Sequence, residues 1–162
     1  MGVGLTVGIG DIKALFLNPI FLSTATTLCT AQILKTLIVI LGRRKVKTRE
    51  LLEITIWRTG GMPSSHAAVV SAMATSIAFV EGIASNLFVF SVWFMLVVIR
   101  DALGVRRAAG LQARALNNLG RQIAEKSNIN FNPVKEIQGH TPLEVAVGIL
   151  LGIFIAAGFA LL

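Results

Sequence analysis

Charge is what this 162-residue chain has least of. Only 14% of its residues are Asp, Glu, Lys or Arg, against about 25% in an ordinary soluble protein. Hydrophobic residues make up 54% and the mean hydropathy is +0.76, so too little polar surface remains to cover a water-soluble globule. An ordinary soluble enzyme, a disordered chain and a coiled coil are poor fits on that ground. Acidic residues are scarcest, 8 against 15 basic, for a net charge of +7. Cysteine is nearly absent. Cys29 stands alone in an apolar stretch, which excludes a disulfide scaffold and says nothing of redox compartment. The N-terminus lacks the basic, apolar and small-residue succession of a cleavable signal peptide, so none is expected.

Long apolar runs are what the chain does have. A helical span needs about 20 residues, and the runs predict four, over Pro19–Leu41, Pro63–Val80, Ile83–Ile99 and Pro142–Leu161. A short glycine-rich leader precedes the first. Gly60 and Gly61 interrupt the chain ahead of the second, and Pro63 stands where proline favours a first helical turn. Glu81 and Gly82 turn the chain into the third. Beyond it, Arg100–Lys126 reads as an amphipathic helix that could continue the third span. Val105, Ala109, Leu116, Leu119 and Ile123 share one face. Arg100, Arg107, Arg114 and Arg121 recur every seven residues on the opposite one, drifting only about 20° per heptad. Residues 127–139 read as a loop. With no internal repeat and no domain boundary, residues 1–162 are expected to form one all-α polytopic membrane bundle. It has about four transmembrane helices and a basic cytoplasmic amphipathic helix.

Orientation follows from the cations. Six of the 15 basic residues lie in residues 43–58 and seven in residues 100–140, while the 81–86 turn has none. Two spans separate these basic stretches, so they share a side, and the positive-inside rule makes that side cytoplasmic. In a soluble protein such an excess would suggest nucleic acid. Here its partner is the anionic surface of the lipid bilayer, and no nucleic acid is expected.

Charges within or bordering spans are costly and mark function by default. Lys35, Arg58, His66, Arg100, Asp101, His140 and Glu144 all fall at or near the cytoplasmic ends of the predicted spans. Their convergence describes one polar pocket suited to an anionic group at headgroup depth, most simply a phosphate. Gly61-Met62-Pro63-Ser64-Ser65-His66 places two hydroxyls and an imidazole at a helix start, where free amides and the helix dipole favour an oxyanion. His140-Thr141-Pro142-Leu143-Glu144 places a second imidazole at another helix start. A carboxylate four residues on can reach back to select one tautomer. Two histidines, one held by a carboxylate, with cations nearby, are the parts for phosphoryl transfer through a covalent intermediate, with no metal or other cofactor.

These segments carry a resemblance. Pro63-Ser64-Ser65-His66 resembles the Pro-Ser-Gly-His motif of the type-2 phosphatidic acid phosphatase (lipid phosphate phosphatase) superfamily. His140-Thr141-Pro142-Leu143-Glu144-Val145, with Gly148, resembles its His-x-Pro-x-Asp-Val-x-x-Gly motif. Together with Asp101-Ala102-Leu103-Gly104-Val105-Arg106-Arg107, they look like its divergent branch of small bacterial and plant proteins, over about residues 35–152. The resemblance implies that His140 attacks phosphorus, Glu144 orients it, and His66 protonates the leaving alcohol and then activates water. Ser64, Ser65, Lys35 and an arginine would hold the phosphoryl oxygens. It also implies a membrane lipid phosphate as substrate (phosphatidate, phosphatidylglycerophosphate or a prenyl diphosphate) in a bacterial inner or plastid membrane, and the cytoplasmic placement of the site favours a phospholipid of the first two kinds.

Several positions depart from the superfamily pattern. Ser65 replaces glycine and Glu144 replaces aspartate. No Arg-Pro follows Lys35 at the expected spacing, where Gly42 stands, and Val134 occupies the place of the third motif's arginine. Arg58, Arg106 or Arg107 could supply those cations. The departures also suit a non-catalytic phospholipid-binding protein or flippase, while haloperoxidase-like oxoanion chemistry fits a membrane chain poorly.

Simpler structural roles stand beside these. Thr141-Pro142-Leu143-Glu144 is also a capping box, Lys35 could snorkel to the surface, and Arg100 could pair with its neighbour Asp101. Gly148, Gly152, Ala156 and Ala160 repeat every four residues, a small-residue face for packing within the chain or for a homodimer.

Overall fold

The computed structural model describes residues 8–42, 61–136 and 139–161, and every regular element among them is helical. In chain order these are α1 (Ile9–Leu17), α2 (Pro19–Gly42), α3 (Ser65–Glu81) and α4 (Asn86–Arg100). One π-helical turn (Asp101–Val105) then leads into α5 (Arg106–Ser127), and α6 (Pro142–Leu161) follows. The basic run at 43–49 and Arg58 lie outside the described residues.

Local chemistry sets most helix starts. The Asn18 side-chain oxygen accepts from the amides of Ile20 (2.9 Å) and Phe21 (3.3 Å). Pro19 thus opens α2, as expected. The leader expected before it contains α1, a short, exposed helix whose two turns are too few to give a periodic signal. Ser64 caps α3, its hydroxyl accepting from the Ala67 amide at 3.4 Å. Pro63 therefore lies just outside the helix rather than in its first turn. Ser85 caps α4 in the same way, with Phe88 at 3.1 Å.

The α4–α5 junction is continuous, one of the two courses that the sequence left open. Residues 86–127 run as 42 continuous helical residues, about 63 Å at 1.5 Å per residue, roughly twice the hydrocarbon thickness. The amphipathic segment is therefore a direct continuation of the third apolar helix. Its expected apolar face is exposed at Val105, Leu116, Leu119 and Ile123. The expected loop after it lies back along α5. Buried Asn117 donates to the Val134 carbonyl (2.9 Å) and accepts from the Val134 amide (2.8 Å). Phe131 packs over Gly120, where a Cβ would overlap the ring.

The core is built from small residues. α3 lies at the centre, in contact with α2, α4 and α6, and buries alanines and serines on several faces. α2 meets it through Ser23, Thr27, Ala31 and Lys35, one residue per turn, and the Ser23 and Ser76 hydroxyls lie 2.5 Å apart. α6 contributes Gly148, Gly152 and Ala156. A Cβ at Gly152 would run into the Ala68 carbonyl and the Ser71 hydroxyl, and one at Gly148 into the Ser64 carbonyl. The small-residue face of α6 is thus occupied at Gly148 and Gly152 by α3 of the same chain, while Ala156 is buried and Ala160 exposed. Large apolar side chains such as Phe90, Trp93 and Phe154 point outward. Lipid solvates such groups as well as a protein core does, so close backbone approach decides what goes inside.

The molecule is a membrane protein. Three helical segments are long and apolar enough to span a bilayer, namely α2, the 86–127 rod and α6. α3, the second of the four expected spans, is apolar but only 17 residues long.

Candidate functional site

Three backbone links gather the chemistry at one end of the bundle. The Ser64 amide donates to the Glu144 carbonyl at 3.0 Å, tying the start of α3 to the start of α6. The His140 amide donates to the Ala102 carbonyl at 3.3 Å, tying the π-helical turn to the same point. Gly139 lies against the backbone of Arg107, where any Cβ would overlap it. Gly61, with φ of +88°, lies beside the stem of Lys35, 3.9 Å from where its Cβ would be to Lys35 Cγ. Residues far apart in sequence are thereby held at one depth.

His140 is buried, and its Nδ1 lies 3.1 Å from Glu144 Oε2. The same carboxylate oxygen accepts from the Thr141 amide at 3.0 Å, while Thr141 Oγ1 accepts from the Glu144 amide at 3.3 Å. The capping box and the histidine-orienting role are therefore carried by one side chain together. A proton on Nδ1 shared with Glu144 leaves the Nε2 lone pair free. Burial holds the His140 imidazole below the ordinary value of 6.5. The Glu144 hydrogen bond and charge oppose that shift in part, and Lys35 and Arg106 reinforce it. Neutral imidazole, the nucleophilic form, is thus favoured.

The His66 ring faces that of His140 with centroids 6.5 Å apart and an interplanar angle of 60°. His66 is exposed and lies in the combined field of Arg106, His140, Lys35 and Asp101. At the same helix start, Ser65 is buried, and its hydroxyl makes no hydrogen bond among the described residues. The first-turn amides of Ser65 and His66 likewise make no hydrogen bond among the described residues, the Ser64 hydroxyl accepting from Ala67. Ser64 is thus a cap first. Lys35 retains only 3% of its exposure, and its ammonium has no hydrogen bond or ion pair among the described residues. It acts electrostatically on Glu144 rather than reaching the surface, so the snorkelling alternative does not hold.

The arginines separate. Asp101 pairs with Arg106, not with Arg100, at 2.6 Å from Oδ2 to Nε. The i→i+5 π-helical turn, in which the Arg106 amide bonds to the Asp101 carbonyl, brings these two side chains together. Arg100 is exposed and joins no hydrogen bond or ion pair among the described residues. Arg107 lines a cleft of about 240 Å³ with Gly61, Arg114, Glu136, Gly139 and Glu144. Sequence reasoning missed Glu136 and Arg114 as site neighbours, because only the chain lying back along α5 brings them there. Gly139 was legible only as the residue before His140. Among the described residues no three His, Cys, Asp or Glu side chains cluster as a metal site.

Comparison with known proteins shows the family. Residues 16–155 match a family described as the divergent PAP2 family. A Bacillus subtilis (strain 168) protein named uncharacterized membrane protein YuiD is 36% identical over 145 residues, covering 83% of this chain and 89% of its own. No solved structure matches the chain. With most of its length matched, and with its histidine-bearing helix starts meeting at one end of a membrane bundle, the chain belongs to the divergent PAP2 family.

Proposed function

We propose that the protein is a metal-independent lipid phosphate phosphatase, hydrolysing a phosphomonoester of a membrane phospholipid through a phosphohistidine. The observation that carries this reading is the pairing of a carboxylate-held, buried His140 with the facing ring of His66, 6.5 Å away. A phosphoryl group between them would lie within the roughly 3 Å near-attack distance of one nitrogen and within hydrogen-bond reach of the other.

In the first step the His140 Nε2 lone pair forms the N–P bond as the P–O bond to the lipid breaks. His66, protonated, gives its proton to the departing alkoxide. In the second step water attacks the phosphohistidine, neutral His66 takes the water's proton, and the N–P bond breaks to release phosphate and restore His140. Lys35, the first-turn amides of Ser65 and His66, the Ser65 hydroxyl and Arg106 stabilise the phosphoryl oxygens. Asp101 aims Arg106, which thereby takes the place of the missing motif arginine. The basic 43–58 and 100–140 stretches orient four spans, with α3 as the second, so that this end faces the cytoplasmic leaflet. α5 forms a basic amphipathic extension on that side.

Purified protein is expected to release phosphate from phosphatidate or phosphatidylglycerophosphate in mixed micelles. Acid-labile, base-stable label from a labelled substrate should be trapped on the wild type and absent from His140→Ala. Full activity in that variant would remove the assigned nucleophile. Movement of lipid between leaflets with no phosphate released would instead favour a flippase built on the same pocket.

A further inference from the structure

The 240 Å³ cleft beside the catalytic end is not used by the chemistry above. It shares Glu144, which holds His140, and Gly61, which abuts Lys35, and it extends away from them along α5 past Arg107 to Arg114 and Glu136. Its volume is that of roughly eight water molecules, room for a phosphate carried on a short polyol.

Formal charges in the cleft cancel, two arginines against two glutamates, but their commitments differ. Glu144 is bonded to His140 and Thr141. Glu136 accepts from Asn117 (3.0 Å) and Arg114 (3.4 Å), and the Asn117 bond, aided by Arg114, keeps its carboxyl below the ordinary range. Arg107 alone among these four makes no hydrogen bond or ion pair among the described residues. The unspent charge of the cleft is therefore positive. Arg106 and Arg107 are successive residues, about 100° apart around the helix. The first is pinned by Asp101 and acts on His66, while the second lines the cleft.

Resting on the phosphatase reading, we infer that the cleft is a second headgroup subsite in which Arg107 binds a phosphodiester. It selects lipids whose reacting phosphate sits on a polyol joined to the lipid through that diester, over lipids whose only phosphate is the reacting one. Phosphatidylglycerophosphate has this second phosphate and phosphatidate lacks it.

The test compares the full-length protein with Arg107→Gln and Arg107→Lys on both lipids in the same mixed micelles. Wild type should favour phosphatidylglycerophosphate in kcat/KM, and Arg107→Gln should lower that preference by about 10- to 100-fold, the usual cost of losing a charge-assisted hydrogen bond. Arg107→Lys should restore part of it. Equal losses on both lipids, or a wild-type preference for phosphatidate, would overturn the subsite. Binding of both lipids to vesicle-reconstituted protein provides the second readout. If neither lipid is hydrolysed, the phosphatase reading fails by itself. The subsite then stands if phosphatidylglycerophosphate still binds more tightly and Arg107→Gln abolishes the difference, and falls if the two lipids bind alike.

Discussion

α3 and α5 are alike in being helices of about 20 residues, and opposite in what they bury. α3 hides most of its alanines and serines, whereas among the 22 residues of α5 only Asn117 is buried. α4, more apolar than α3 but made of larger residues, buries only Ser91, so size rather than hydrophobicity alone selects the interior. A membrane core gains little from hiding leucine from lipid but gains contact wherever two backbones can approach closely. The chemistry follows the same division. The start of α3 is fixed by close packing and meets the start of α6, while α5 projects beyond the bundle and offers arginines along its side.

The largest effect that would break this contrast lies at the α3–α6 meeting point. His140→Ala should lower phosphate release by at least about 10³-fold while the helical circular dichroism stays that of wild type. Residual activity within tenfold would mean that the meeting of the two helix starts is structural only.

Glu144→Gln should cost about 10²-fold and shift the pH profile. Wild-type activity needs neutral His140, whose pKa burial has lowered below 6.5, so its acid limb should lie below that value. Glu144 raises the His140 pKa, hence its loss should move the limb further toward acid. A limb that moves toward alkaline pH would contradict the assignment of Glu144.

Gly152→Leu places a side chain against the Ala68 carbonyl and the Ser71 hydroxyl. It should destabilise the bundle by about 1–3 kcal/mol, read as a lower unfolding midpoint in detergent. Leu119→Ala on the exposed face of α5 should change the same midpoint by less than about 0.5 kcal/mol. Asn117→Ala removes both bonds to Val134. It should speed amide exchange in residues 129–136 without moving the midpoint of the bundle.

Legibility in the sequence followed the range of the interactions. α6 was readable to the residue because Thr141, Pro142 and Glu144 are local signals that cap a helix without help from elsewhere. α2 was readable from Pro19 and its uninterrupted apolar run. The start of α3 was misplaced by two residues because Pro63 and Ser64 both signal a helix start, and the Ser64 hydroxyl bond to Ala67 decides between them. Asp101 had its neighbour Arg100 as one candidate partner and Arg106 or Arg107, a turn or more further on, as the others. The π-helical turn, which an α-helical repeat does not anticipate, gave it Arg106. α1 left no signal because two turns are too short to show a period.

What the sequence by itself determined was the solvent of this protein, the family it belongs to and the short motifs that bring two histidines to helix starts. Composition, charge placement and short motifs carry those, and none depends on how the helices pack. What only the tertiary structure decided was which cations serve which task. Among the described residues Lys35 is buried beside Gly61 without a hydrogen bond or ion pair, Arg106 is pinned by Asp101, and Arg107 lines a cleft with no such partner. Neighbours in sequence were assigned to different surfaces because a helix turns about 100° per residue. Distant residues were brought to one depth because glycines let the backbones touch.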